Sequence, residues 1–574
     1  MKQAMRFSLM VAVTIVLFSS CSKKGSGDAK YIPKDAAMVI SFNLGAMDDT
    51  LKKAGMGFDS LFAKMAPKDS AGQSEVQQIK NAGFDWKKPV HIFTMQYNTV
   101  KGNVAVMNML GSLTDTAKFV AFIKGQKNSD EIVREQNFSY SVMGNNVLGW
   151  NGSNLILSTY QVKSNMDSIG MIDAPQDMSK YRGDMISEIK KYFTQEASAS
   201  LTEVEAFTDL AKQNAHGFSW VNMQSMTQLP GGMQFPQLTE LLKDSYAAST
   251  FNFERGKIVS DTKMYFSKAM QSILDKNEMP AADLSLVDRY PSKNINGFYL
   301  FGLNPQAINA VLKEAQLDAL ANTALSKEGF QLQDIINALQ GQVAFIVSDI
   351  GTAPAAATGE PKFANWLVNV TIKDKAALDK IINSGVQKGL LVRQGDYLLF
   401  NSPAGGPQTV TQKIKLTATN LFVGSDSALI ESYIANTGGG SLNADLKKRF
   451  DGKSAAGYFN FNSLNINMGG GASQNNPMAM MLSMVTMFTG QFNEAVVTLD
   501  KYDDGKMSGH SELTLKDNSQ NSMVVITKMF SDIAAMAMQM GMRGNMAGEG
   551  DMPSEADWKN ATDSVSEPAE ADNK

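Results

Sequence analysis

The feature that most constrains this chain is that its pattern of strands and helices occurs twice. Two stretches match at an offset of roughly 240–265 residues, the scale of a duplicated domain and far above that of a short solenoid repeat. AAMVISFNLGAMDDTLKKAG (36–55) parallels INGFYLFGLNPQAINAVLKEA (295–315). Each reads as an apolar strand, an Asn-containing turn, then apolar residues at helical spacing. KPVHIFTMQ with NVAVMNMLGSLTDTAKFVAFIKG matches GQVAFIVSD with NWLVNVTIKDKAALDKIINSG: strand, hairpin, strand, helix. Asp115 and Asp374 stand where those helices should begin, and a carboxylate there can accept the free backbone N–H groups of the first turn.

The correspondence continues to the end of each copy. NVLGWNGSNLILSTY lines up with KIKLTATNLFVGSDS, and SLTEVEAFTDLAKQNAHGFSWVNMQSM with SLNADLKKRFDGKSAAGYFNFNSLNI. Each copy then closes on a hairpin, turning at Arg255-Gly256 and at Asp504-Gly505. The chain is therefore expected to be α+β, a tandem duplication occupying 31–280 and 285–540. Each repeat should be a mainly antiparallel sheet domain with helices packed on one face. The order strand–helix–strand–strand–helix–strand suggests ferredoxin-like (βαββαβ) elements.

The two ends differ from this body. Lys2 and Arg6 precede a ten-residue apolar run (9–18), then Ser19, Ser20 and Cys21. About 20 residues are needed to cross a bilayer core, so the run reads as a cleavable signal peptide over 1–20. LFSSC resembles the bacterial lipobox, in which the cysteine after the cut receives acyl chains. Phe18 stands where an aliphatic residue is usual. Cys21 is thus the expected lipidation site, followed by a small polar tether over 21–30. Two or more long chains anchor stably, at about 0.8 kcal/mol per buried methylene. At the other end, 547–574 is acidic and almost free of large apolar groups, and should be disordered.

Composition limits the function classes. A chain of 574 residues with 43% hydrophobic and 19% charged residues can build substantial cores. The net charge of −4, with no dense Lys/Arg cluster, argues against nucleic-acid binding. Lipidation of the single cysteine would leave no thiol for a disulfide, a metal or catalysis.

No residue set stands out as reactive. The three histidines, His91, His216 and His510, fall in or next to different strands, with no HExxH spacing. Gly469–Gly471 lacks the Gly-Lys-Ser/Thr that a phosphate-binding loop needs. Methionine is in excess at 36, concentrated in MAMMLSMVTMF (478–488) and over 529–542. Thioethers suit Cu(I), and Met-rich surfaces suit apolar ligands, but core helices explain the spacing of Met529, Ile533, Met536 and Met540 directly. Triplets such as Asp49-Thr50-Leu51, Asp115-Thr116-Ala117 and Asp426-Ser427-Ala428 look like O-glycosylation acceptors, or equally like helix starts. No catalytic, cofactor-binding or metal-binding residue is therefore nominated, and no cofactor is expected.

The lipobox, the opening YIPKDAAMVISFNL with Pro33, Asp35, Ala36, Val39 and Leu44, and its echo INGFYLFGLN resemble a Bacteroidota lipoprotein family, domain-of-unknown-function family 4836. The resemblance brings no catalytic residue or ligand. Surface-exported lipoproteins of that phylum often carry acidic residues after the cysteine. Ser22, Lys23 and Lys24 depart from that, which favours a periplasm-facing anchor. The expectation is a membrane-anchored, non-catalytic binding or scaffold protein with an envelope protein partner or apolar ligand. The alternatives are an envelope hydrolase whose site forms only in three dimensions, and a carrier of an apolar ligand through the Met-rich helices.

Overall fold

The computed structural model describes residues 27–58, 60, 77–99, 102–126, 130–144, 146–162, 181–227, 235–351, 364–401, 412–436, 442–464, 486–487 and 489–529. The expected signal peptide over 1–20, Cys21, the acidic stretch 547–574 and most of both Met-rich segments lie outside these residues.

In the first half the strands are β1 (Met38–Phe42), β2 (Val90–Thr99), β3 (Gly102–Ser112), β4 (Val133–Arg134) and β5 (Ser139–Met143). They continue with β6 (Asn146–Trp150), β7 (Asn154–Val162), β8 (Gly217–Asn222), β9 (Tyr246–Glu254) and β10 (Lys257–Tyr265). The second half supplies β11 (Ile295–Gly302), β12 (Leu339–Ser348), β13 (Asn365–Ile372), β14 (Leu391–Gln394) and β15 (Tyr397–Phe400). It ends with β16 (Lys413–Leu416), β17 (Asn420–Gly424), β18 (Ala455–Asn460), β19 (Phe492–Leu499) and β20 (Lys506–Leu515).

All pairings between these strands are antiparallel, and together they make one 20-stranded sheet. Following the pairs from one edge gives β4-β5-β6-β7-β3-β2-β1-β8-β9-β10 for the first half. From the other edge, β14-β15-β16-β17-β13-β12-β11-β18-β19-β20 gives the same order for the second. The halves join through β10 and β20, from Lys257↔Thr514 through Asp261↔His510 to Tyr265↔Lys506. The two halves thus share one sheet and do not form one each.

Two expectations are corrected. In a ferredoxin-like unit the first strand lies between the third and the fourth. Here β1 pairs with β2 and β8 instead. The chain returns from the helix after β1 to lie directly beside it, and element order alone does not specify that neighbour. Nor do the helices keep to one face. Among them are α1 (Leu44–Lys53), α2 (Thr116–Lys124), α3 (Arg182–Thr194), α4 (Glu205–Ala211) and α5 (Lys268–Lys276). From the second half come α6 (Pro305–Glu314), α7 (Lys375–Gln387), α8 (Ser427–Ile434) and α9 (Ala444–Phe450).

Helices α3 and α4 pack Met185, Ile189, Tyr192, Phe207 and Leu210 onto Val39, Phe93, Val147, Ile156 and Trp220. On the opposite face α2 packs Phe119 and Ile123 onto Leu148, Trp150 and Leu155. Neighbours Val147 and Leu148 belong to different cores because side chains alternate along a strand. The second half repeats this, with α8 on Phe422 and Leu367 and α7 near Leu421 and Val423. The reason is legible in the residues: VLGW, LIL and LFVG are continuous apolar runs, which suit strands covered on both sides. Fully burying each large apolar side chain contributes about 1.5–3 kcal/mol.

Two further features recur across the halves. A buried asparagine in the third strand of each half reaches a tyrosine of the covering helix: Asn108 to Tyr192 at 3.4 Å, and Asn369 to Tyr433 at 3.1 Å. The last helix of each half also docks on the first helix of the other. Met270 and Ile273 of α5 pack near Ala310 and Val311 of α6. Met523 and Val524, in the helical stretch 522–529, pack on Leu51 of α1.

Candidate functional site

Aspartates cap where the sequence placed them. Asp115 accepts from the Lys118 N–H at 3.0 Å and Asp374 from that of Ala377 at 3.1 Å. Asp426 does the same for Leu429. The triplets at 115 and 426 are therefore helix starts. Thr50 sits within α1 and bonds the Ala46 carbonyl and His216 Nε2, so its hydroxyl is already engaged. Two further triplets of this kind, Asp59-Ser60-Leu61 and Asp167-Ser168-Ile169, fall partly or wholly outside the described residues.

The histidines do not converge; each has its own local role. His91 on β2 is 1% exposed, and its Nδ1 lies 2.5 Å from the Ser41 hydroxyl. Its Nε2 is buried without a partner among the described atoms. Burial lowers this imidazole to about 4, opposed by the Asp28 carboxylate. Burial also lowers His216, which Asn252 and Glu254 act to raise. His216 accepts the Phe253 N–H at Nδ1 and so ties the loop before β8 to β9. His510 on β20 meets Asp261 of β10 at 2.7 Å. No group of three or more metal-ligating side chains occurs among the described residues. No helix among them is long and apolar enough to cross a membrane.

A concavity lies at the seam between the halves, beside that Asp261–His510 pair. It is a cavity of about 400 Å3 walled by Ala206, Asp209, Leu210 and Gln213 of α4. Its floor is the face of β9, β10 and β20 that α4 covers. Cross-strand register sets Ala248, Lys263 and Ser508 in one row, and Thr250, Asp261 and His510 in the next. Tyr265 completes the floor toward Asp209. Burial raises the Tyr265 phenol, and the charge of Asp209 adds to this, so it stays a hydrogen-bond donor.

On the far side of the seam the floor is occupied. Arg449 of α9 reaches Glu512 at 3.4 Å and Glu494 at 4.0 Å, while Lys257 bonds Glu512 at 2.9 Å. Burial acts to raise Glu512, but Lys257 and Arg449 outweigh it and hold the carboxyl below its usual range. Lys263 makes no ion pair among the described residues, so the near side stays open. Sequence reasoning missed this cavity because its walls come from residues 206–213, 248–265 and 508–509, which only the β10–β20 pairing brings together.

A family model described as a domain of unknown function, family 4836, matches residues 29–399. The chain belongs to that family. The match to family 4836 runs from the first short helix through β15 as one stretch, and its description assigns no reaction. No curated protein matches this family 4836 chain. Solved structures similar to it include crystal forms IV, III and I of TP0453, at 7%, 6% and 8% identity. They cover 43%, 45% and 44% of this chain and 83%, 89% and 85% of that one, with TM-scores of 0.23, 0.23 and 0.22. At that level the likeness bears on neither fold nor function.

Proposed function

We propose that this family 4836 chain is a lipid-anchored protein of the bacterial cell envelope, held through Cys21 and facing the periplasm, that binds a ligand or partner without transforming it. The observation that carries the binding role is the open seam cavity. Its lining mixes apolar walls with convergent polar groups, as ligand sites do. The lipobox-like LFSSC and the short apolar run before it carry the anchor. A tandem duplication is proposed as the origin of the two halves. Its support is the shared strand order, the paired Asn–Tyr contacts and the reciprocal docking of the last helices.

Affinity capture of the lipidated protein from its native envelope, under mild crosslinking, tests the binding role. Enrichment of a specific molecule that is lost when Asp209 and Gln213 are replaced supports it. Recovery of nothing specific counts against it. Cys21→Ala tests the anchor: the variant should appear in the soluble periplasmic fraction or stall uncleaved. Normal cleavage with unchanged membrane retention refutes it.

A further inference from the structure

Resting on that binding role, we infer that the seam cavity takes a saccharide of one or two rings. The inference starts from what the lining offers. Asp209 and Asp261 are acceptor-only when ionised, Lys263 is donor-only, and Thr250, Ser508 and Gln213 can do both. A ligand meeting all of these needs many groups that both donate and accept, and needs no charge of its own. Sugar hydroxyls are such groups.

The other ligand classes fit less well. Lys263 is the one cationic lining residue, with Asp209 already holding Lys212 at 2.9 Å and Asp261 meeting His510, so the cavity offers an anion little charge. The polar floor groups of Thr250, Lys263 and Ser508 would be stripped of water by a purely apolar ligand with nothing to replace it, which opposes such binding. An extended peptide usually binds by adding to a free strand edge. Every strand under the cavity is paired on both sides, β9 with β8 and β10, β10 with β9 and β20, β20 with β10 and β19. No backbone ladder is left for a peptide to extend.

The apolar contribution lies on one side, where Tyr265 joins Leu210, Ala206 and Ala248. A pyranose has one C–H face that can lie on a phenol ring while its hydroxyls address the floor. From Tyr265 to Asp261 the floor spans about 14 Å at 3.4 Å per residue, room for two rings end to end.

The test uses the full lipidated protein in nanodiscs and titrates maltose, cellobiose, N,N′-diacetylchitobiose and the dipeptide alanyl-alanine by calorimetry. At least one disaccharide should bind with a Kd at or below the low millimolar range. Combining Asp209→Asn with Gln213→Ala should weaken it by roughly tenfold or more. Both positions are on an exposed helix surface, where their loss costs little stability. Tyr265→Phe should retain binding and Tyr265→Ala should lose it. If none of the three disaccharides binds, or if binding ignores these substitutions, the saccharide inference is overturned. If alanyl-alanine binds with the same dependence on Asp209 and Gln213, the saccharide is wrong and the seam remains the binding site. If no probe binds and no molecule is captured from the envelope, both readings fail.

Discussion

Acidification should unfold this protein partly through one imidazole. His91 is buried in the first half, its ring held neutral with a folded-state pKa of about 4 against the ordinary 6.5. A group whose folded pKa is depressed binds fewer protons folded than unfolded between those two values. Its contribution is therefore fully present above about pH 6.5 and lost as pH falls toward 4. The difference of about 2.5 units corresponds to about 3 kcal/mol in total, at about 1.4 kcal/mol per unit. About 2 kcal/mol of that should be gone by about pH 5, before most carboxylates titrate.

The perturbation is the pair Ser41→Ala with His91→Leu. Removing both ends of the 2.5 Å contact leaves no orphaned hydroxyl, so stability near pH 7 should change little. Urea unfolding at about pH 7, 6 and 5 then compares the slopes. The native protein should lose about 2 kcal/mol more than the double variant across that range. His216 and His510 remain in both proteins and cancel in the comparison. Parallel pH profiles, or an imidazole of residue 91 titrating near 6.5 by NMR, would refute the reasoning.

Two other outcomes test the fold. Asn108→Ala and Asn369→Ala each remove a buried amide that bonds a covering tyrosine, and each should cost about 1–3 kcal/mol in urea unfolding. Because they lie in separate cores, their effects should add. Gly341 has φ of 111° and an added Cβ would fall 2.0 Å from the Leu303 carbonyl oxygen, within the irregular stretch of β12. Gly341→Ala should therefore lower the unfolding midpoint by an amount equivalent to about 2 kcal/mol or more, and an unchanged midpoint would contradict the backbone geometry.

What the residues disclosed in advance was local. Apolar runs marked the strands, Asp115 and Asp374 marked helix starts, and Asp504-Gly505 marked a turn in which both residues take positive φ. Neighbour choice was not local. Nothing in MVISF distinguishes pairing with β2 from pairing with β3, so the ferredoxin-like reading failed there. The two-sided burial of β6, β7 and β17 was visible in their unbroken apolar runs, which the expectation of helices on one face left unused. The Asn–Tyr pairs also left a trace, since VAVMNMLG and WLVNVT each carry a lone amide among apolar residues at matching places. The seam was hidden because its polar residues, Asp261, Lys263 and His510, look like ordinary solvent-facing residues of a hairpin until β10 and β20 meet.

The reciprocal docking of the terminal helices sets an order on biogenesis. A ribosome delivers α1 hundreds of residues before Met523 and Val524, the side chains that cover its Leu51. Until those residues arrive, the first half carries an uncapped apolar patch and a bare β10 edge, both open to wrong partners. The part of the molecule made first is thus among the last to be completed.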